Sequence, residues 1–326
     1  MSTSTAPLRR APAGDCWSAP SLFADPPKRM RSEIVNAITI DVEEYFQVEA
    51  FASTIDRKDW DRLPPRVVRN TERLLDILAE GETEATFFVL GWIAQRHPAL
   101  IKRIAAAGHE LASHGSDHVR VDGQPHEVFR ADVRQSKRIL EDLGGVPVLG
   151  YRAPTFSIGR DSSWAHAILR EEGFQYSSSV YPRKHDLYGT AGAPRTAFAP
   201  LPGLIEVPLT AVRVLGIDVP ASGGGFFRLF PYGLTRRLLA YATRANRSPA
   251  IFYIHPWEID PAQPRQRQAP LLSRFRHYIN LGRTEARFRR LLHDFAWGRM
   301  DQIFLNPALP AAPVIPSWTD RKSSSW

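Results

Sequence analysis

Cysteine is nearly absent from this sequence of 326 residues, and the single one, Cys16, lies in a stretch rich in Pro, Ala and Ser. One cysteine can form neither an intrachain disulfide nor a thiolate metal cluster. Long apolar runs are also lacking, since no apolar segment approaches the roughly 18 residues that a transmembrane helix needs. Residues 1–30 contain no apolar run long enough for a secretory leader. These absences predict a cytoplasmic protein without a transmembrane segment.

The composition indicates a single large folded domain with unfolded ends. Hydrophobic residues make up 43% of the chain and aromatic residues 10%, which is enough to bury a sizeable core. Residues 1–32 are rich in Pro, Ala and Ser, and we expect them to be a disordered tail, with Met30 as an alternative start. We expect a second disordered tail over 306–326.

The net charge of +8 is concentrated in an arginine-rich region between Arg265 and Arg290. Such a region can attract an anionic polymer or lipid headgroups, but it is also typical of the solvated face of amphipathic helices. We favour helices, because apolar residues recur there at helical spacing. Those residues are Leu271, Leu272, Phe275, Tyr278, Ile279, Phe288, Leu291, Leu292 and Phe295. The sequence thus predicts a helical extension over 261–305, and no nucleic-acid motif accompanies it.

Strand-like runs alternate with helical patterns along the chain. The predicted strands are 35–41, 84–90, 109–113, 147–152, 174–178, 204–209 and 250–255. The predicted helices are 67–80, 98–107, 127–143, 162–172 and 233–246. Glycines 81, 108, 144 and 173 follow four of these helices, where C-terminal caps are expected. The alternation predicts an α/β fold with a parallel sheet, either open or closed into a barrel.

Four residues whose side chains suit catalysis or metal binding fall at or just after the ends of predicted strands. Asp41 ends the first strand, His114 follows the third, Arg152 ends the fourth and His255 ends the last. The carboxyl ends of parallel strands share one rim, which is where such folds hold their sites. We therefore expect these distant residues to meet.

In the segment SHGSDH, residues 113–118, His114 and His118 are four positions apart. Two histidines at this spacing can bind one metal ion. The pair alone is weak, since polar residues at this spacing are common. DVEEYF, residues 41–46, brings Asp41, Glu43 and Glu44 to the same rim, and two histidines with one carboxylate leave a position open, as catalytic zinc requires. The alternative is that these acids cap a helix.

Two further motifs supply an arginine and a histidine. In GYRAPTF, residues 150–156, Arg152 could orient a carboxylate, although a surface salt bridge is the alternative. In FYIHPWE, residues 252–258, His255 follows an apolar strand, where a packed, hydrogen-bonded histidine would be the ordinary interpretation. Its place at the common rim favours a catalytic role.

Taken in order, these motifs resemble those of the polysaccharide deacetylase family with the NodB homology domain, which removes acetyl groups from sugars. TIDVEEYF, SHGSDH, GYRAPTF and FYIHP appear in the family's order over about residues 35–260. DVEEYF, SGGGFFRLFP, HPWEID and the arginine-rich extension further resemble the subfamily found with exopolysaccharide and PEP-CTERM exosortase loci. The resemblance implies a distorted parallel (β/α)7-type barrel over 33–260.

For the metal, the resemblance implies that His114 and His118 are ligands. Where the family usually has two adjacent aspartates, this chain has Asp41 and Val42, and valine cannot bind metal. The third ligand would be Glu43, or else Glu44. The implied cofactor is a divalent ion, most simply Zn²⁺.

For catalysis, the resemblance implies that Asp41 is the general base, that Arg152 orients it, and that His255 protonates the leaving group. Main-chain N–H groups near Thr155 and Phe156 would stabilise the oxyanion.

For the substrate, Tyr151, Pro154, Thr155, Phe156 and Trp257 are the candidate contacts. The glycines of 223–225 could let a sugar approach the backbone or could form a tight connection.

The sequence therefore predicts a metal-dependent deacetylase of an acetylated amino-sugar polymer or oligosaccharide, acting on N-acetyl or O-acetyl groups in exopolysaccharide production. Two alternatives remain open. One is an amidohydrolase of a small molecule, and the other is a carbohydrate-binding protein whose metal site has decayed at Val42.

Overall fold

The computed structural model describes residues 34–183, 189–214, 217–307, 311–316 and 318. Its strands are β1 (Asn36–Val42), β2 (Thr86–Val89), β3 (Glu110–Ser113), β4 (Gly150–Tyr151), β5 (Tyr176–Ser177), β6 (Phe198–Leu201), β7 (Leu204–Glu206), β8 (Ala211–Val214), β9 (Ile217–Pro220), β10 (Ile251–Ile254) and β11 (Trp297–Gly298). Its α-helices are α1 (Val67–Glu80), α2 (Gly91–Arg96), α3 (Pro98–Ala106), α4 (His126–Gly144), α5 (Ala165–Glu171), α6 (Gly224–Leu229), α7 (Tyr232–Asn246), α8 (Leu271–Tyr278), α9 (Leu281–Asp294) and α10 (Met300–Phe304). The predicted N-terminal tail lies outside the described residues.

One curled parallel sheet organises the molecule. Its strands run in the order β10-β1-β2-β3-β4-β5-β7, all parallel, and β6 joins β7 as an antiparallel neighbour. Each of the predicted strands is present in this sheet, and the α/β prediction is confirmed. The helices cover its outer face because their apolar sides, such as Leu74 and Leu78 of α1, pack in the main core.

The barrel is incompletely closed. Among the described residues, β7 and β10 do not pair with each other, and the chain between them fills part of the gap. Tyr253 of β10 donates its N–H to the Ser222 carbonyl at 2.8 Å, and Ile251 donates to the Thr210 hydroxyl at 2.7 Å. A Cβ on Gly223 (φ 110°) would lie 2.1 Å from the Tyr253 carbonyl oxygen, so only glycine fits there. The tight connection is therefore the correct interpretation of this glycine.

The C-terminal extension packs on the barrel. β11 pairs with the start of β1, and Phe288, Leu291 and Leu292 of α9 are buried. Helix α8 departs from the prediction, because Leu271, Leu272 and Phe275 point outward instead of forming a buried stripe. Helical spacing shows that residues share a face, but it does not show what covers that face.

The predicted tail over 306–326 is wrong for its described residues. Ala199 of β6 donates its N–H to the Pro313 carbonyl at 2.9 Å and accepts one from Ile315 at 2.8 Å. Trp318 is 1% exposed and packs edge-on against His166 and at a tilt against Phe198. A few apolar side chains thus suffice to fix this Pro-rich segment. Within the described residues, no helix combines the length and the apolar character needed to cross a bilayer.

His109, just before β3, makes the stability of the barrel sensitive to acid. Its Nδ1 accepts a hydrogen bond from the Ala85 N–H at 3.1 Å, and burial lowers its pKa from 6.5 to about 4. The stability that this neutral ring contributes is present above the unfolded pKa of about 6.5 and is lost as the pH falls through about 4. The shift corresponds to at most about 3 kcal/mol. We expect His109→Asn, whose amide oxygen can accept the same bond without titrating, to lose less stability than the parent between pH 7 and pH 4 in urea unfolding. Equal losses would remove His109 as a cause.

Candidate active site

The end of β1 supplies two carboxylates to the same side. Along an extended chain, alternate residues share a face, so Asp41 and Glu43 point into the mouth of the sheet while Val42 is buried in the core. Glu43 Oε2 lies 2.8 Å from His118 Nε2. The valine that breaks the usual aspartate pair therefore does not prevent a carboxylate from reaching the histidines.

A tight loop after β3 carries both histidines. His114 Nδ1 lies 2.8 Å from the Arg152 carbonyl oxygen, which can only accept, so Nδ1 carries the proton and Nε2 is left as a donor atom for a metal. His118 has a left-handed backbone, with φ 55°. Asp132 of α4 holds the loop by accepting the Ser116 N–H at 3.1 Å with each carboxylate oxygen. The loop is thereby fixed against its neighbours.

Glu43, His114 and His118 form a candidate metal-binding triad. Their ligand atoms all lie within 4.8 Å of one another. Burial raises the pKa of Glu43, but the nearby His118 and His255 outweigh it and lower the pKa to about 2. Burial lowers the pKa of His114 to about 4. At neutral pH the site therefore offers an ionised carboxylate and a neutral imidazole, which are the forms that bind metal.

Glu44 has a structural contact instead. Its Oε1 accepts the N–H groups of Arg66 and Val67, at 2.7 and 2.8 Å, where α1 begins. Burial raises its pKa to about 7, and backbone hydrogen bonds oppose that shift. The helix-cap interpretation of the DVEEYF acids thus applies to Glu44, and Glu43 is the acid that faces the histidines.

Asp41 is held by Arg152 in the sheet interior. Arg152 Nη1 donates to Asp41 Oδ1 at 2.6 Å and to the Thr39 hydroxyl at 2.7 Å. Its other nitrogens donate to the carbonyl and hydroxyl of Ser178, and its guanidinium lies 4.0 Å from the Phe88 ring centroid. Arg152 is fully buried, so the surface salt-bridge alternative is wrong. A charge held by this many contacts has one orientation.

His255 lies beside Asp41 and Glu43 in the pocket. Its Nε2 is 3.8 Å from Asp41 Oδ2 and 3.6 Å from Glu43 Oε1, while its Nδ1 bonds to Glu258 Oε1 at 2.7 Å. Glu258 is in turn paired with the buried Arg228 at 2.7 Å. Burial lowers the pKa of His255, but the charges of Glu43, Glu258 and Asp41 outweigh it and raise the pKa to about 9.

Trp257 contacts a triad member and two histidines. Its indole N–H donates to Glu43 Oε1 at 3.2 Å. One ring face stacks on His255, with centroids 5.2 Å apart, and His277 stacks on the ring at 4.1 Å. Trp257 nevertheless lines the pocket, so its contact with a substrate stays a prediction.

The GYRAPTF residues divide between core and pocket. Tyr151 is fully buried between Phe129 and Phe174, so it cannot contact a substrate. Pro154 is also buried and starts a short 3-10 turn. Thr155 and Phe156 do line the pocket, but the Phe156 N–H is donated to the Ala153 carbonyl at 3.0 Å and cannot serve an oxyanion.

The candidate site residues line one pocket of about 340 Å³. Its floor consists of Asp41, Glu43, His114, His118 and His255. Its outer wall is largely apolar and comes from Phe226, Leu229, Phe275 and Ile279. The rim convergence expected from the sequence is therefore present, because Asp41 lies near the end of β1 and His114, Arg152 and His255 directly follow β3, β4 and β10.

The sequence reasoning missed three supporting residues. Glu258 follows His255 by three positions and returns to its side chain through the turn that Pro256 starts. This signal was present in HPWE. Arg228 lies in the glycine-rich segment and Asp132 in mid-helix, and neither position indicates which side chain it will contact.

Two family models match the chain. One, described as polysaccharide deacetylase, matches residues 50–176, and the other, described as a domain of unknown function, DUF3473, matches residues 178–305. The first match includes both histidines and Arg152, and the second includes His255 and Glu258. Asp41 and Glu43 precede both matches.

Curated relatives match over short segments. A peptidoglycan-N-acetylglucosamine deacetylase of Bacillus cereus is 33% identical over 105 residues, which are 32% of this chain and 47% of that protein. A chitooligosaccharide deacetylase of Rhizobium leguminosarum bv. trifolii is 36% identical over 70 residues, which are 22% of this chain and 33% of that protein. This chain thus spans less than half of either relative's length.

Solved structures share the fold. A Mycobacterium smegmatis structure aligns with a TM-score of 0.55 at 22% identity, over 92% of this chain and 99% of its own. A Pseudomonas aeruginosa PAO1 structure aligns with a TM-score of 0.52 at 15% identity, over 82% and 88%. Both are named only provisionally as polysaccharide deacetylases. At these identities the likeness supports the fold alone.

Proposed function

This chain carries a polysaccharide deacetylase domain, and from that premise we propose that it hydrolyses N-acetyl groups of an acetylated amino-sugar polymer or oligosaccharide. The choice of an exopolysaccharide rests on the motif resemblance alone, and the cytoplasmic location stays a prediction from the sequence. One observation carries the proposal. A triad of two histidines and a glutamate lies at the floor of a pocket beside Asp41 and His255.

The triad fits a divalent metal ion. Two imidazoles and one carboxylate suit Zn²⁺, which is the ion that we propose, and three protein ligands leave a further position open. The hydrogen bond between His114 Nδ1 and the Arg152 carbonyl fixes the ring so that Nε2 faces the site. When bound there, a divalent ion supplies Lewis-acid chemistry toward water and toward a carbonyl oxygen.

Asp41 is the proposed general base. Arg152 occupies its Oδ1, so Oδ2 is the atom that faces the pocket. From there it can take the proton of the water whose oxygen adds to the acetyl carbonyl carbon. The buried arginine holds the carboxylate in one orientation, which is what such a role needs.

His255 is the proposed general acid. With a pKa of about 9 it is protonated at neutral pH, and Glu258 holds Nδ1–H so that Nε2–H points toward the pocket. As the bond between the carbonyl carbon and the sugar nitrogen breaks, this proton passes to the nitrogen. The products are acetate and the free amine, and no covalent acyl-enzyme is required.

Acetate release from N-acetylglucosamine oligomers tests the proposal. We expect the purified protein to release acetate, to lose this activity in a chelator, and to regain it on addition of zinc. The absence of release at every metal loading would contradict the proposal and favour a sugar-binding protein. Release from small acetamides alone would favour the small-molecule amidohydrolase.

The pair of Glu258 and His255 predicts a change in the pH profile. Glu258→Gln keeps one acceptor oxygen, which can serve His255 Nδ1–H, but it loses the acceptor for Arg228 and removes a negative charge that raises the pKa of His255. The protonated acid is then lost at a lower pH, so the alkaline limb of kcat/KM is expected to move to lower pH. Thermal unfolding of the variant would show that it is folded. An unmoved alkaline limb in a folded variant would contradict the assignment of His255.

A further inference from the structure

Helix α8 exposes large apolar side chains at the surface. Leu271 is 79% exposed, Leu272 58% and Phe275 56%. They lie within five consecutive residues on a helix whose buried contacts come mainly from His277. Exposed leucines occur singly on most proteins, but a cluster next to a pocket is typical of an interaction surface.

The chain around α8 carries positive charge without any negative charge. Five arginines and not one aspartate or glutamate occur between residues 261 and 284. Among the described residues, Arg265, Arg267 and Arg274 have no carboxylate partner. Arg265 lies over the Tyr278 ring at 4.3 Å, beside a surface cleft that Leu271 and Phe275 also line. Apolar and cationic groups thus share one face, which we call the α8 face, defined by Arg265, Arg267, Leu271, Leu272, Arg274 and Phe275.

The α8 face continues into the mouth of the pocket. Phe275 lines both the surface cleft and the pocket, and Arg276 and Ile279 line the pocket beside it. Leu229, on the same pocket wall, is 44% exposed. Whatever covers the α8 face is therefore held next to the pocket opening.

We propose that the α8 face docks this protein onto an anionic membrane surface. Protruding aliphatic and aromatic side chains can enter the boundary between headgroups and acyl chains, while the arginines meet lipid phosphates. A second copy of the chain fits less well, because a two-fold contact would bring the same unpaired arginines against each other. A soluble anionic polymer would use the arginines and leave the leucines in water.

This docking gives a consequence for the substrate, which rests on the proposed deacetylase function. A pocket mouth held at a membrane faces saccharide carried on a lipid, and the apolar outer wall of the pocket lies nearest to the lipid. The docking itself does not depend on the deacetylase function, so vesicle binding tests it without any measurement of acetate release.

Vesicle co-sedimentation of the full chain tests the proposal. We expect binding to vesicles of equal parts phosphatidylcholine and phosphatidylglycerol, and much weaker binding to phosphatidylcholine alone. Each arginine near an anionic surface should strengthen binding about fivefold, so Arg267→Glu with Arg274→Glu should weaken it by at least roughly 25-fold. Added salt should weaken the parent's binding as well.

The apolar part is tested with a matched control. Leu271→Glu with Leu272→Glu should weaken vesicle binding by at least roughly tenfold. Val128→Glu with Ile217→Glu adds the same charge at two other exposed positions and should weaken it far less. Both double variants should release acetate from soluble oligomers as the parent does, since neither pair lines the pocket.

Three results would overturn the proposal. The first is the absence of binding to anionic vesicles by the folded parent. The second is an equal loss of binding in Leu271→Glu with Leu272→Glu and in Val128→Glu with Ile217→Glu, which would indicate that net charge alone determines binding. The third is a concentration-dependent dimer in analytical ultracentrifugation that Leu271→Glu with Leu272→Glu abolishes, which would assign the α8 face to a second copy of the chain.

Discussion

Asp41→Asn is expected to lower turnover by roughly 10²- to 10⁴-fold while the purified protein keeps its metal. Asparagine retains an oxygen that can accept the hydrogen bond from Arg152, so the site should keep its shape. It cannot take a proton, so the addition of water to the acetyl carbonyl loses its base. The measurements are initial rates of acetate release and elemental analysis of the same preparation.

Asp260→Asn is the matched control for Asp41→Asn. Asp260 is also a buried aspartate paired with arginines, Arg66 and Arg69, but it does not line the pocket. A general cost of neutralising a buried, arginine-paired aspartate would affect both variants. A large rate loss at Asp41 alone would support its role, whereas near-parental turnover by Asp41→Asn would remove it.

Glu43→Gln is expected to strip the metal from the protein, and Glu44→Gln is not. Glutamine is nearly the same size as glutamate but lacks the negative charge that pairs with the ion. Loss of a direct ligand should lower metal affinity by more than the roughly 10- to 100-fold typical of outer-shell partners. Activity at limiting zinc should fall with it. Zinc titration of the metal-free protein, followed by calorimetry, measures both affinities.

Glu44→Gln controls for position and charge in that comparison. Its carboxylate caps α1 instead of facing the histidines, and glutamine keeps an oxygen that can accept the same two N–H groups, so this variant should stay folded and keep its zinc affinity. The reverse outcome, with metal lost at position 44 and kept at position 43, would assign the third ligand to Glu44.

The sequence predicted the sheet and the site's rim because both follow from local pattern. Apolar strand runs determined β1, β3 and β10, and parallel strands bring their carboxyl ends together. Strand alternation even favours Glu43, because positions 41 and 43 share a face.

What the sequence could not predict depends on which surfaces meet in three dimensions. Trp257 lines the pocket, but the sequence does not show that His277, from a helix 20 positions further along the chain, stacks on its ring. Tyr151 is in the substrate motif yet points into the core. Leu272 has the spacing of a buried residue but has no partner surface. The sequence gives the chemistry of each of these side chains, but its neighbours in the fold determine whether it is buried, exposed or in contact with the pocket.

X-ray diffraction at the zinc absorption edge, on crystals of zinc-loaded protein that releases acetate, tests the central claim most directly. The account predicts one anomalous peak about 2.0–2.2 Å from a Glu43 oxygen and from ring nitrogens of His114 and His118. A zinc peak bound by other residues, or an active protein with no metal at these three side chains, would contradict it.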